Sequence, residues 1–412
     1  MKYSKFNKIL DLSWFKNTVL FSLLIVFGCQ AQENSEKEIE LKTGADQTEL
    51  YLPLLKGKHV AVVANQTSVV ADYKGNLIHL VDTLIDLDVN VKTVFAPEHG
   101  FRGKADAGEK VKDSFDSKTG LPIISLYGKH KKPTAEDLKG IDIIVFDIQD
   151  VGVRFYTYIS TLHYVMEACA EQNIPVLVLD RPNPNRHYVD GPVLEDVHKS
   201  FVGMHPVPVV YGMTIGEYAQ MINGEGWLNN SISCDLEVIK LKNYNPDKTY
   251  ELPIKPSPNL PNSKSINLYP SLCFFEGTNV NAGRGTDMQF QVFGSPFLDK
   301  DVFDFQYTPQ PNEGAKYPKH QGVICYGKDL RNAGSLSSIN LEWLIEANQN
   351  SSKHIKFFNP FFAKLAGTGK LEGQINSGMS AKQIKASWQN DLNKFMKIRA
   401  KYLIYRSKID KF

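Results

Sequence analysis

The sequence predicts an α/β protein: a domain built on a mainly parallel sheet, followed by a smaller α+β domain. Three observations carry this. From about Leu52 to Leu260, short β-branched runs alternate with helical stretches, the pattern of βαβ units. Leu252 to Pro270 then gathers Pro253, Pro256, Pro258, Pro261 and Pro270 among Asn and Ser, a composition that marks a connector rather than a regular element. Beyond it the periodicity changes to isolated strands and helices with no repeating unit.

Taken in order, the predicted strands of the first domain are Val60 to Ala64, Val91 to Phe95, Ile141 to Phe146 and Val176 to Leu179. The last two, which flank the second crossover helix, read as continuous apolar runs apart from Asp142, as expected where a sheet is covered on both faces. Asn76 to Leu87 and Thr161 to Glu171 have the spacing of crossover helices. In the second domain Gly322 to Gly327 reads as a strand and Ser338 to Asn348 as a capped helix. Ser380 caps a long helix, Ala381 to Tyr402, with Ile384, Trp388, Leu392, Phe395 and Met396 on one face. The domain limits implied are 47–265 and 266–412.

The amino terminus is of another kind. Lys2, Lys5, Lys8 and Lys16 precede an apolar stretch, Thr18 to Gly28, too short to span a bilayer and of the length of a signal-peptide core. It ends in Gly28-Cys29, which resembles a bacterial lipoprotein signal with Cys29 as the lipidated residue. Residues 1–29 are therefore expected to be a signal and 30–46 a polar tether, giving an exported, membrane-anchored protein, with the outer membrane facing the periplasm as the expected site. The remaining cysteines, Cys169, Cys234, Cys273 and Cys325, are widely spaced and mostly in apolar contexts, so buried free thiols are expected rather than metal ligands or bridges.

Lys and Arg number 47 against 45 Asp and Glu, a near-neutral balance that gives no footing to nucleic-acid binding. All four strands of the first domain break off into polar clusters, and in open α/β sheets ligands sit beyond the carboxyl ends of the strands. After the second strand, Pro97-Glu98-His99-Gly100 places a carboxylate and an imidazole on a restrained loop, with Arg102 close behind; Glu98 is the first choice for a general acid or base. After the third come Asp147, Gln149, Asp150, Arg154, Tyr156 and Tyr158. Asp147 or Asp150 is the expected second catalytic or orienting group, although Asp150 also suits a turn cap balanced by Arg154. After the fourth come Asp180, Arg181, Asn183 and Asn185, in which Arg181 offers a fork for a carboxylate and the amides suit sugar hydroxyls or an acetamide. Past the connector, Glu276, Asn279, Arg284 and Asp287 lie on a glycine-rich loop. Its Gly-Arg-Gly-Thr string lacks the lysine and preceding strand of a phosphate loop, so no nucleotide is expected. No paired-histidine spacing supports a metal, and no G-x-S-x-G elbow supports a serine hydrolase.

The segments FAPEHGFRG, DIQDVGVRFYTYIS, LDRPNPN, YGMTIGEYA, PSPNLPN and EGTNVNAGRGTD, in that order, resemble the NamZ family of exo-β-N-acetylmuramidases from about residue 50 to the C-terminus. The resemblance implies a Rossmann-like first domain, an active-site cleft between it and the second, and release of N-acetylmuramic acid from non-reducing ends of peptidoglycan fragments without a cofactor. It places the family's proposed catalytic glutamate on Glu98. Such a substrate carries a lactyl carboxylate, for which Arg102, Arg154, Arg181 and Arg284 are the candidates, and a 2-acetamido group. A glycan-binding lipoprotein without catalysis is the alternative, and a metal-assisted amide hydrolase is a third reading.

Overall fold

The centre of the molecule is a seven-stranded sheet whose inner strands are almost wholly aliphatic, so both of its faces must be covered. The computed structural model describes residues 40–102 and 114–410. The predicted signal and Cys29 lie outside the described residues.

In chain order the described elements begin with helix α1 (Thr48–Leu55), strand β1 (Val60–Ala64), the hairpin β2 (Val69–Ala71) and β3 (Leu77–His79), α2 (Leu80–Asp86), β4 (Val91–Ala96), β5 (Ser114–Phe115), β6 (Pro122–Ser125) and β7 (Ile143–Asp147). They continue with α3 (Tyr158–Gln172), β8 (Val176–Leu179), α4 (Ile215–Gly224), β9 (Leu236–Ile239) and α5 (Ser263–Leu272). The last third holds β10 (Val292–Ser295), β11 (Phe305–Tyr307), β12 (Cys325–Asp329), α6 (Glu342–Gln349), α7 (Phe362–Ala366), α8 (Lys370–Asn376) and α9 (Ala381–Arg399).

The sheet runs β5-β6-β4-β1-β7-β8-β9, parallel throughout except for β5 against β6. Leaving out the short antiparallel edge, this is the 3-2-1-4-5-6 order of a Rossmann-like sheet. The chain reverses direction across the sheet at β1, so the ends of β4, β1 and β7 border the switch-point crevice. Successive residues divide between two cores. Ala61, Val63, Ile144 and Phe146 face one, with α3 and α4, and Val60, Val62, Ile143 and Val145 face the other. The first core continues without a break into the last third of the chain through Tyr269, Phe274, Phe293 and Trp388. A three-stranded antiparallel sheet, β10-β12-β11, and α6 to α9 make up that smaller part.

Three helical elements differ from expectation, and the strand expected at 322–327 runs instead over Cys325–Asp329. The predicted helix at 76–87 starts late, because Asp72 accepts from the backbone N–H groups of Lys74 and Asn76 and closes a turn that pairs β2 with β3. The predicted helix at 338–348 begins only at Glu342, whose N–H is taken by the Asn340 side chain. The proline-rich connector does contain a helix, α5, opened by a capping box between Asn262 and Ser265 and carrying Pro270 inside it. Pro270 has no N–H for the Ile266 carbonyl, and the Asn185 side chain donates to that carbonyl instead, at 3.1 Å. The long C-terminal helix starts at the predicted cap, where Ser380 and Gln383 form a capping box. Cys169, Cys234, Cys273 and Cys325 are buried free thiols, and burial pushes the Cys234 thiol up to about 12.

Arg154 ties the two parts together. It is fully buried, and its guanidinium donates to the carbonyls of Pro192 and Val207 at 2.7 Å each, of Leu365 at 3.0 Å and of Ala366 at 2.7 Å. Burial lowers its pKa to about 9, and the carbonyls compensate the charge with fixed dipoles. The expected carboxylate-reading role finds no support in this placement. Arg154→Met should cost about 3–5 kcal/mol in urea unfolding, because carbonyls in both parts lose their donors at once; a loss under about 1 kcal/mol would show that water or repacking replaces them.

Arg102, also expected at the substrate, is paired elsewhere. Its Nε and Nη2 donate to the Asp116 carboxylate at 3.0 and 2.7 Å, and Nη2 lies 3.4 Å from Asp82, which Lys118 also reaches at 2.7 Å. The Arg102 guanidinium, helped by Thr119, holds Asp116 down to about 2 from an ordinary 3.8. A carboxylate depressed on folding contributes stability above its unfolded pKa and loses it as the pH falls through the folded value. Arg102→Met should therefore lower stability at pH 7 by about 1–2 kcal/mol and flatten the decline between about pH 4 and 2. An unchanged acid limb in a pH series of unfolding curves would rule this out.

Candidate active site

Glu98 stands just beyond β4, where the strand ends against Pro97. His99 and Gly100 both take positive φ, 73° and 77°, and the Gly100 N–H bonds back to the Pro97 carbonyl at 3.0 Å. A β-branched side chain at either position would be strained, so the tight turn fixes where the Glu98 side chain leaves the backbone. Thr157 precedes α3 as its N-cap, yet its hydroxyl makes no capping bond and donates to Glu98 Oε2 at 2.8 Å. The Tyr127 hydroxyl, beyond the end of β6, bonds the same carboxylate. Burial and then the Glu98 charge push that hydroxyl above its usual range, keeping it a donor. Glu98 is thus oriented from two sides while remaining partly exposed.

These groups open into a cavity of about 530 Å³ between the end of the sheet and the second part of the chain. Phe155, Tyr156, Tyr269 and Phe290 line it, joined by edge-to-face contacts: Phe155 with Tyr269 at 5.3 Å, Tyr269 with Tyr156 at 6.0 Å and with Phe290 at 4.9 Å. Lys131 and Phe201 contribute to the lining, the lysine Nζ 4.7 Å from the ring centre. From the second part come Glu276 and Arg284, whose carboxylate and guanidinium approach to 3.3 Å. Burial, then Cys273, pushes the Tyr269 hydroxyl well above its usual range, and the Glu98 and Glu276 charges add to it.

Of the residues expected at the site, Glu98, His99, Tyr156, Glu276 and Arg284 line this cavity. The others are in its frame or elsewhere. Asp147 is fully buried in a two-pronged pair with Arg181, at 2.6 and 2.8 Å, and Arg181 also donates to the Val69 carbonyl. Burial raises Asp147 and the Arg181 charge opposes it. Asp150 accepts from the Gly152 N–H at 2.6 Å and from the Tyr211 hydroxyl, and burial pushes it up to about 6. Both acids stand where the strand-tip argument puts them along the chain, but a carboxylate drawn from water is stable only where donors meet it, and here those donors belong to the scaffold.

Gln149 donates to the carbonyls of Asp150 and Pro182, and Asn183 to that of Met213. Asp180 accepts from Thr214, Tyr405 and the Gly216 N–H ahead of and within the first turn of α4; burial, with Glu217 adding to it, pushes it up to about 7. Asn279 is held to the backbone at Phe357 and Lys356, and Asp287 is on the exposed surface. Tyr127, Lys131, Thr157, Phe201, Ser257, Asn259 and Tyr269 were not singled out from the sequence. Thr157, Ser257 and Asn259 lie inside motifs already conspicuous there, and Tyr127 follows β6, an apolar run that could have been read as a fifth strand. Among the described residues no group of three or more His, Cys, Asp or Glu side chains is arranged to hold a metal ion.

Two family models match the chain in tandem: "Exo-beta-N-acetylmuramidase NamZ, N-terminal" over residues 60–264 and "Exo-beta-N-acetylmuramidase NamZ, C-terminal" over 267–405. The peptidoglycan beta-N-acetylmuramidase NamZ of Bacillus subtilis (strain 168) is 39% identical over 397 residues, covering 91% of this chain and 94% of its own length. Two crystal structures of DUF1343 family proteins from Bacteroides fragilis NCTC 9343 share the fold. One has a TM-score of 0.82 at 46% identity over 90% of this chain, the other 0.75 at 30% over 89%, and each is covered in full. With both models matched in order and a relative this similar along nearly its whole length, the chain belongs to the NamZ family of exo-beta-N-acetylmuramidases, and it is a glycoside hydrolase.

Proposed function

We propose that the protein releases N-acetylmuramic acid from non-reducing ends of peptidoglycan fragments, with Glu98 as general acid/base. The observation that carries this reading is the Glu98 carboxylate itself, oriented by Thr157 and Tyr127 in a cavity lined by aromatic rings and cations. Its volume of about 530 Å³ suits a terminal sugar and its neighbour rather than a length of glycan strand. The rings offer flat apolar faces to a pyranose. Lys131 and Arg284 are the cations of the lining that can meet a lactyl carboxylate, which replaces the wider set of arginines expected from the sequence.

In this reading Glu98 protonates the glycosidic oxygen as the bond to the anomeric carbon breaks, and the resulting carboxylate takes a proton from the attacking water when the sugar is released. Thr157 and Tyr127 hold the carboxyl group in one rotamer through both steps. Glu276, fastened by Arg284, is the second carboxylate of the lining and the group available to stabilise positive charge at the ring. Glu98→Gln keeps the shape and loses the proton. It should lower release of the sugar from a muramyl-glucosamine disaccharide by at least about 10³-fold, with the melting temperature nearly unchanged. Release at the wild-type rate would eliminate Glu98, and binding without any release by the wild type would leave a glycan-binding protein.

We also propose export and anchoring through a lipid on Cys29, facing the periplasm from the outer membrane. The support is the lysine-rich start, the short apolar core and Gly28-Cys29. Cys29→Ser expressed in the native host should shift the protein from the membrane pellet to the soluble fraction. A membrane-bound Cys29→Ser protein would exclude this anchor.

A further inference from the structure

Lys131 stands on the loop after β6, four residues beyond Tyr127, and lines the Glu98 cavity. Its Nζ lies 4.7 Å from the centre of the Phe201 ring, which lines the cavity beside it. Both residues are partly exposed. Among the described residues the Lys131 ammonium makes no hydrogen bond or ion pair, and it keeps contact with solvent. Its neighbours in sequence are already paired: Lys132 with Glu167 and Glu171 at 2.7 Å each, His130 with Asp137 at 3.0 Å.

Phe201 is itself fixed. It sits in a tight turn in which Ser200 and Gly203 exchange backbone bonds at 2.9 and 3.0 Å, and its carbonyl receives the Ser160 hydroxyl at 2.8 Å. Its ring lies 6.1 Å from that of Tyr127 and stacks at 6.3 Å on that of Tyr164. Ser160 is in the first turn of α3, three residues after Thr157, so one helix start holds both Glu98 and the ring beside Lys131. The loop after β6 links the same two groups, since Tyr127 bonds Glu98 and Lys131 brings the charge. An aromatic face attracts an ammonium without neutralising it. Arg284, the other cation of the lining, is in a different condition. Its Nη1 meets Glu276 at 3.3 Å and its Nη2 the Gly314 carbonyl at 3.1 Å, so an incoming carboxylate there would also face the Glu276 charge.

We propose that Lys131 is the specificity-determining cation that binds the lactyl carboxylate of the terminal sugar, with Phe201 holding its ammonium in place. The proposal rests on the hydrolase reading above and assigns to one residue the group that distinguishes a muramyl from a glucosaminyl end. An ammonium has three donors and no acceptor, and of the acceptors on such a sugar only the lactyl group is charged. That group and the glycosidic oxygen belong to one ring. A cation and an acid registered to the same helix start and the same loop can therefore hold both at once.

The test compares two disaccharides that differ only at the lactyl group of the terminal unit, a carboxylate in one and a primary carboxamide of the same shape but no charge in the other. Wild type should favour the carboxylate, and Lys131→Met, which keeps an apolar stem on Phe201, should reduce that preference in kcat/KM by at least about 10-fold. Arg284→Met should keep the preference within a few-fold of wild type. Added salt should weaken the preference of wild type and leave that of Lys131→Met flat. Each preference is a ratio within one protein, so it does not depend on the folded fraction. A preference that is absent from wild type, indifferent to salt, unchanged in Lys131→Met or lost only in Arg284→Met overturns the proposal. If Lys131→Met does not fold, Lys131→Gln takes its place with the same outcomes. Should wild type cleave neither disaccharide, the hydrolase reading fails and calorimetry judges Lys131 instead. Free N-acetylmuramic acid should bind wild type at least about 10-fold tighter than its lactyl amide, with that margin lost in Lys131→Met. Equal margins in the two proteins refute the contact.

Discussion

One buried cation, Arg154, holds together the two halves between which the cavity lies. A guanidinium with no carboxylate beside it among the described residues is costly to bury, and four backbone carbonyls, two from each side of the connector, compensate it. The next two residues, Phe155 and Tyr156, line the cavity, and Thr157 orients Glu98. A single short segment therefore carries the structural joint, part of the aromatic lining and the hydrogen bond to the acid. Small displacements of that joint would be felt directly at the carboxylate.

The parallel sheet was legible because its strands are buried on both faces and need unbroken runs of Val, Ile, Leu and Phe. The same feature hid the short edges: β5 has two residues, both exposed, and β9 buries only the last of its four, Ile239. The helix α5 was hidden by Pro270, a residue that ordinarily ends a helix and here does not, because Asn185, 81 positions before Ile266, takes over the missing donation.

The site was legible in part for a related reason. Polar residues at strand ends were expected to face a common hollow, and Glu98 does line one. Asp147, Asp150, Asp180 and Arg181 come from the same strand ends but sit where water is excluded, and each is met by donors or acceptors of the scaffold. Sequence distinguishes a carboxylate from a leucine; it does not distinguish one facing a ligand from one facing an arginine. The sequence signal was weakest for Lys131 and Tyr127, which lie on a loop after an unrecognised strand, and for Asn259, whose neighbouring prolines suggested a mere linker.

The bond from Asn185 to the Ile266 carbonyl has a consequence for how this chain can vary. Pro270 withholds its donor from that carbonyl, and an amide on a distant loop covers it. The dependence runs one way: a proline with no amide strands an acceptor in the core, whereas the amide also donates to the Val151 carbonyl at 3.0 Å and so has a use without the proline. The proline should therefore be accepted only where the amide already stands, although nothing in the local sequence of either reveals that order.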